Sequence, residues 1–296
     1  MGICGSGLRP ANLGPSLTFR RPYPSSVNRS VNLLHRLSPI ICALSLAHAA
    51  GLKPETSAAF DHYVKLTEDE IAKRTGSDFV LLEKNTKQKT LAWLGQTVIE
   101  PKKTLDQGQE IDIPDGLVQD WIGTLFLEGA TLDRVRDMVL NFTDYKYYFK
   151  QQVIDSKLVK RDGDKLDAFL RLSKRQVTPM VFNVQLSALY TTVDPTRGYV
   201  VCRSTHLAEV AHPNKPGTYD QERSADDQTG NLWRLNYYCR LHQTDDGVYA
   251  ELELITLSRP GGGLHPGRFL SGFEAFPREL EEAFLDGLRD AFPLRH

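Results

Sequence analysis

The sequence predicts an α+β fold: a strand, a helix, six further strands and a long terminal helix, with a helical extension in front. Three observations carry this expectation. MVFNVQLSALY alternates strictly, with Met180, Phe182, Val184, Leu186, Ala188 and Tyr190 on one side and Asn183, Gln185 and Ser187 on the other. NLWRLNYYCRLHQTDDGVYAELELITLSR has the same period on both sides of a polar turn, as a hairpin does. PRELEEAFLDGLRDAF switches to a helical period, with Phe276, Leu280, Phe284 and Leu288 four apart. Hydrophobic residues make up 41% and charged ones 25% of the 296, enough to bury a real core.

In chain order, PETSAAFDHYVKLTEDEIAKR (Pro54 to Arg74) reads as a helix with Phe60, Tyr63, Val64, Leu66 and Ile71 as its apolar set. Thr67 and Glu70 have the spacing of a capping box for a second turn. FVLLE is a short buried run, and a second short helix is expected around Trp93. Gly51 to Gly116 thus forms an extension with no core of its own. VQDWIGTLFL is the first strand, and Thr131 caps a helix whose stripe is Leu132, Val135, Val139 and Phe142. The aromatic connector DYKYYFKQQ packs that helix on the sheet edge or makes a rim that could touch a membrane surface transiently. A hairpin about Asp162-Gly163, MVFNVQLSALY, GYVVCRSTHLAEVA and the long hairpin complete the strands.

The chain before Gly51 has a different composition. It holds five arginines and no acid, and HRLSPIICALSLAHAAG has the tripartite plan of a secretory signal cleaved after Ala49 or Ala50. The expected location is therefore periplasmic or secreted. The first 30 residues are long for such a leader, and with no Met between Met1 and Met138 they suggest an over-extended gene start. MGICGS also fits a myristoylation pattern, and the acid-free leader an organelle transit peptide. Of 36 basic residues, 31 remain from Gly51 onward against 37 acidic ones. Nucleic acid is not an expected partner, because its recognition rests on a basic footprint. No strong signal for a protein partner stands out.

The strand–helix–six strands–helix order resembles the helix-grip fold of the START / polyketide cyclase-like superfamily. GLVQDWIGTLFLEGATL, DGDKLDAFLRL, NLWRLNYYCRL and VYAELELITLSR resemble uncharacterised exported bacterial members of that group. The resemblance implies a seven-stranded antiparallel sheet wrapped around the C-terminal helix, spanning residues 117–296. It further implies a cavity for a hydrophobic or amphipathic molecule such as a lipid, an isoprenoid or a polyketide-like compound. Lining that cavity would be Phe182, Leu186, Tyr190, His206, Trp233, Tyr237, Leu252 and Leu254 from the sheet and Phe276, Leu280 and Phe284 from the helix. The other reading of those residues is a core packed solid, as in an interaction module.

Catalysis has one candidate group. Glu251 and Glu253 share a strand face beside Arg234, Tyr238 and Arg240. Inside a cavity they could serve a cyclase or hydratase as acid and base. On a solvated face they would be cross-strand ion pairs worth less than ~1 kcal/mol each. PGGGLHPG (Pro260 to Gly267) suits a mobile loop over a cavity mouth, with His265 as a polar gate; it lacks the immediate helix start of a phosphate-cradling loop. His206 and His212 lack clustered ligands at metal spacing, and no cofactor fingerprint occurs, so neither metal nor cofactor is expected. On the terminal helix, Glu281, Glu282, Asp286, Arg289 and Asp290 are assigned to the polar side, opposite the apolar face. If Tyr199–Val210 and Asn231–His242 form a symmetric hairpin, Cys202 faces Cys239, as a cross-strand disulfide or as two buried thiols.

Overall fold

Strands whose two faces are both covered must find apolar or paired partners on each side, and β10 (Gly247–Ser258) is buried at every one of its positions. That burial organises the computed structural model, which describes residues 51–81, 85–174, 179–224, 227–229, 231–260 and 275–293. All of them lie in the compact unit Ala47–His296. The other elements are α1 (Pro54–Lys73), α2 (Thr86–Trp93), β1 (Val98–Pro101), β2 (Leu105–Asp106), β3 (Gln109–Glu110), β4 (Leu117–Glu128) and α3 (Leu132–Val139). They continue with α4 (Tyr145–Tyr148), β5 (Val153–Asp162), β6 (Lys165–Lys174), β7 (Met180–Asp194), β8 (Arg197–Glu209), β9 (Arg234–Gln243) and α5 (Phe276–Ala291).

Eight strands form one sheet in the order β1-β4-β10-β9-β8-β7-β6-β5, each antiparallel to its neighbour. The eighth is β1, four residues paired to the edge of β4, which the charged and turn-forming sequence around it hid. Beside it, β2 and β3 make a separate two-stranded hairpin. The β5–β6 turn falls where Asp162-Gly163 predicts it, with Gly163 at φ +60, a conformation that suits a residue without Cβ.

The inner face carries the main core. Leu125, Phe182, Leu186, Leu252 and Leu254 meet Phe276, Leu280, Phe284, Leu285 and Leu288 of α5, which packs against β4 and β10. Helix α3 joins this core through Leu132, Val135 and Val139, as its spacing predicts. Thr131 occupies the N-cap position without a side-chain bond; the Gln243 side chain accepts from the Leu132 amide instead. Within the aromatic connector Tyr145 and Phe149 are buried against Phe284, while Tyr147 is exposed.

The outer face is covered as well. Helix α1 lays Phe60, Tyr63, Val64 and Ile71 on Tyr238, Ile255 and Leu257. Phe79, Val80 and Ala92 of the extension pack on Phe126 and Tyr249. Nor does α1 restart at Thr67: the helix is continuous there, and the Thr67 hydroxyl donates to the Tyr63 carbonyl rather than capping. The β8–β9 register is offset from the symmetric hairpin, placing Cys202 opposite Tyr237 and Cys239 opposite Val200. Both cysteines are buried free thiols, so no disulfide joins them. Burial drives the Cys202 thiol pKa up to about 12, which suits an inert packing role.

Candidate functional site

Nine of the eleven residues expected to line an interior share the inner core: Phe182, Leu186, Tyr190, Tyr237, Leu252, Leu254, Phe276, Leu280 and Phe284. Period two on the strands and period four on α5 bring them together. Phe182 stacks near Phe276 with ring centroids 6.3 Å apart, and Tyr237 near Phe284 at 5.9 Å. Two residues are elsewhere. Trp233 precedes β9, where the alternation has not yet begun, and it packs with α1 on the outer face. His206 follows a register shift of β8 against β7 between Gln185 and Leu186, and the extra residue, Thr205, turns it outward. Its ring is exposed and 2.8 Å from the Glu222 carboxylate. The PGGGLHPG stretch and His265 lie outside the described residues.

Polar groups in this interior are few. The Tyr145 hydroxyl donates to the Val139 carbonyl at 2.5 Å, so in its 3.2 Å contact with Tyr237 the Tyr237 hydroxyl is the donor. Burial, above all, raises both phenol pKa values. A less expected group is Glu281. The residue is fully buried on the sheet-facing side of α5, contrary to its assignment to the polar side. A Cβ on Gly123 would stand 2.9 Å from its Oε1 and 2.3 Å from Leu285 Cδ1, so the glycine makes its berth. Neither Glu281 oxygen is in a well-formed hydrogen bond, although the Gly123 amide lies close to the carboxyl. Burial, then the nearby Glu253 and Asp120, push its pKa far above the usual carboxylate range, and the Gly123 amide counters this only in part. Burial thus favours the protonated form of this carboxyl, the form able to donate one hydrogen bond. The sequence signal was Leu285, four residues on, which shares its helical stripe.

The acid–base residues occupy the other face. Glu251 and Glu253 are neither solvated nor turned toward α5; the extension buries them. Glu251 accepts from Arg74 Nη1 at 2.8 Å and from the Leu81 amide at 2.6 Å. Lys102 Nζ reaches Glu253 Oε1 at 2.8 Å and Glu70 at 3.4 Å. Arg240 donates to the carbonyls of Ile71 and Arg74 at the end of α1, its guanidinium 4.1 Å from the Phe79 ring centroid. Tyr238 donates to Glu68, and Arg234 to the Ser57 hydroxyl. Tyr63 donates to Asp120 Oδ2 at 2.7 Å. None of these groups reaches the inner face, so the cyclase or hydratase reading loses its acid–base pair. Among the described residues no cluster of three or more His, Cys, Asp or Glu could hold a metal ion.

An antiparallel sheet closed over its carboxy-terminal helix decides the architecture. The chain has the helix-grip fold. No family model matches it, and no curated protein matches its sequence. Among solved structures it is similar to a STAR-related lipid transfer protein fragment from Xanthomonas axonopodis, with 16% identity and a TM-score of 0.41 over 66% of this chain and 98% of that one. It is also similar to the Zhui aromatase/cyclase from Streptomyces sp. R1128, at 12% identity and TM-score 0.42, over 59% and 93%. The lipid transfer and protein localization domain of human StarD13 matches at 11% and 0.40, over 72% and 98%.

The outer network has a pH signature. Burial raises the pKa of Asp120 to about 6 and of Glu253 to about 8, against the pull of Lys102. Both values exceed those of the unfolded chain, about 3.9 and 4.3, so the native state binds more protons in between. Their stabilising contribution is full below those unfolded values and is lost as pH rises toward 8. Urea unfolding should therefore show stability falling from pH 5 to 8, and Glu253→Gln should flatten that fall. A stability that climbs across the interval in the native protein contradicts this assignment.

Proposed function

We propose that the chain is an exported, non-catalytic protein that shelters a hydrophobic or amphipathic small molecule, a lipid, isoprenoid or polyketide-like compound, between the sheet and α5. Supporting the reading is an inner face apolar along β6, β7, β9 and β10 and opposed by five large apolar side chains of α5. Burying ligand hydrocarbon there would supply the binding energy, at about 25 cal/mol per Å², and a few polar groups would fix orientation. The observation that carries the proposal is Glu281: a carboxyl fully buried among apolar side chains, its pKa raised by that burial, with neither oxygen in a well-formed hydrogen bond. Buried polar groups in folded proteins ordinarily have partners. A carbonyl or hydroxyl at the head of an otherwise apolar guest would provide one. The non-catalytic part of the reading is supported by the engagement of the acid–base residues on the opposite face.

The test uses 12-NBD-stearate as probe, together with native mass spectrometry of the purified protein. Saturable one-to-one binding and a co-purifying apolar mass are expected. Glu281→Leu should weaken probe binding at least fivefold while leaving the fold as stable or more stable, since it removes an unsatisfied buried group. A protein that binds neither probe nor native ligand would be an interaction module with a solid core. Export has its own check. The mature chain should begin at Ala50 or Gly51 by mass spectrometry, and a chain retaining Gly2 would overturn that part.

A further inference from the structure

A pocket lies on the outer side of β4, away from the α5 interior. Its volume is about 390 Å³, within the range of small-ligand sites. The extension builds most of it: the segment after β1, the β2–β3 hairpin and the stretch leading into β4 form the walls, and Tyr63 of α1 and Asp120 the floor. Ile111, Ile113 and Val118 supply an apolar side.

The charges are unevenly satisfied. Lys102 is bonded to Glu253 and near Glu70, with its charge also felt by Asp120, and Lys103 is held by Glu110. On the acidic side Asp120 is only 5% exposed, and while Oδ2 accepts from Tyr63, Oδ1 has no partner. Asp112, exposed at the rim, adds a second carboxylate. Tyr63 cannot turn its proton to Oδ1, since its hydroxyl donates to Oδ2 and accepts from the Thr104 amide at 2.8 Å. What the pocket offers a guest is therefore the Asp120 carboxylate, only partly countered by Lys102, a second negative charge at the mouth and a hydrocarbon wall.

We propose that this pocket binds a small organic ammonium ion, its charged nitrogen toward Asp120 and Asp112 and its apolar body against Ile111, Ile113 and Val118. A bare metal ion is a poor fit, because the floor offers one carboxylate rather than a ligand cluster. The site is independent of the α5 interior, and either could exist without the other.

Isothermal titration of the full chain with n-hexylammonium, 1-hexanol and hexanoate tests it. Hexylammonium should saturate, with the neutral and anionic analogues at least tenfold weaker. Asp120→Asn should weaken hexylammonium at least tenfold. Asp112→Asn, at an exposed position that folding does not need, should weaken it severalfold and decides the matter if the Asp120 variant fails to fold. Methyl chemical shifts should move at Ile111 and Ile113. Equal affinity for hexanol and hexylammonium, no saturable hexylammonium binding, an unchanged Asp112→Asn affinity, or shifts confined to Leu280 and Leu285 would each overturn the assignment.

Discussion

The contact on which the rest depends is the docking of α1 onto the charged face of β9 and β10. An arginine or glutamate in mid-sheet is costly to bury unless its charge and its hydrogen-bonding atoms are met. Here Arg74, near the end of α1, meets Glu251, and Arg240 reaches back to the carbonyls of that helix end. Carbonyls in the last turn lack intrahelical donors and carry the negative end of the helix dipole, so a guanidinium suits them on both counts. The match is incomplete: Arg74 Nε and Nη2, Arg240 Nε and Glu253 Oε2 have no partners. Burial and the neighbouring Arg74 bring the Arg240 pKa down to about 10, which still leaves it charged. Such a network fixes where the helix sits more than it adds stability.

This docking divides the chemistry of the sheet. With the extension closing the outer face, the charged groups cluster there, and among the described residues the inner core holds hydrocarbon, Tyr145, Tyr190, Tyr237, two buried thiols and the Glu281 carboxyl. The pocket by Asp120 exists only because β1 and the β2–β3 hairpin stand against β4. The extension is therefore part of the packed body, not an appendage to it.

Much of this was legible. Alternation in MVFNVQLSALY and in the long hairpin placed Phe182, Leu186, Tyr237, Leu252 and Leu254 correctly, since apolar side chains on a strand must share the buried face. The opposite face was misjudged, because an alternating strand reads as half-solvated and nothing local in Glu251 or Arg240 announces a partner at residue 74. His206 was lost to a one-residue bulge, which reverses every side chain beyond it. Trp233 was lost to the strand starting one residue later. Glu281 was hidden by its charge, although Leu285 on the same stripe marked its side as the buried one.

The most direct test of the central docking is a double-mutant cycle on Arg74 and Glu251, with Arg74→Met, Glu251→Gln and the pair compared by denaturant unfolding. Each single change should cost about 3–5 kcal/mol by stranding a buried charge, and the pair should show a coupling of about 1.5–3 kcal/mol. Single costs below about 1 kcal/mol with no coupling, as exposed ion pairs give, would mean that the charged face is open to water and that α1 does not close it.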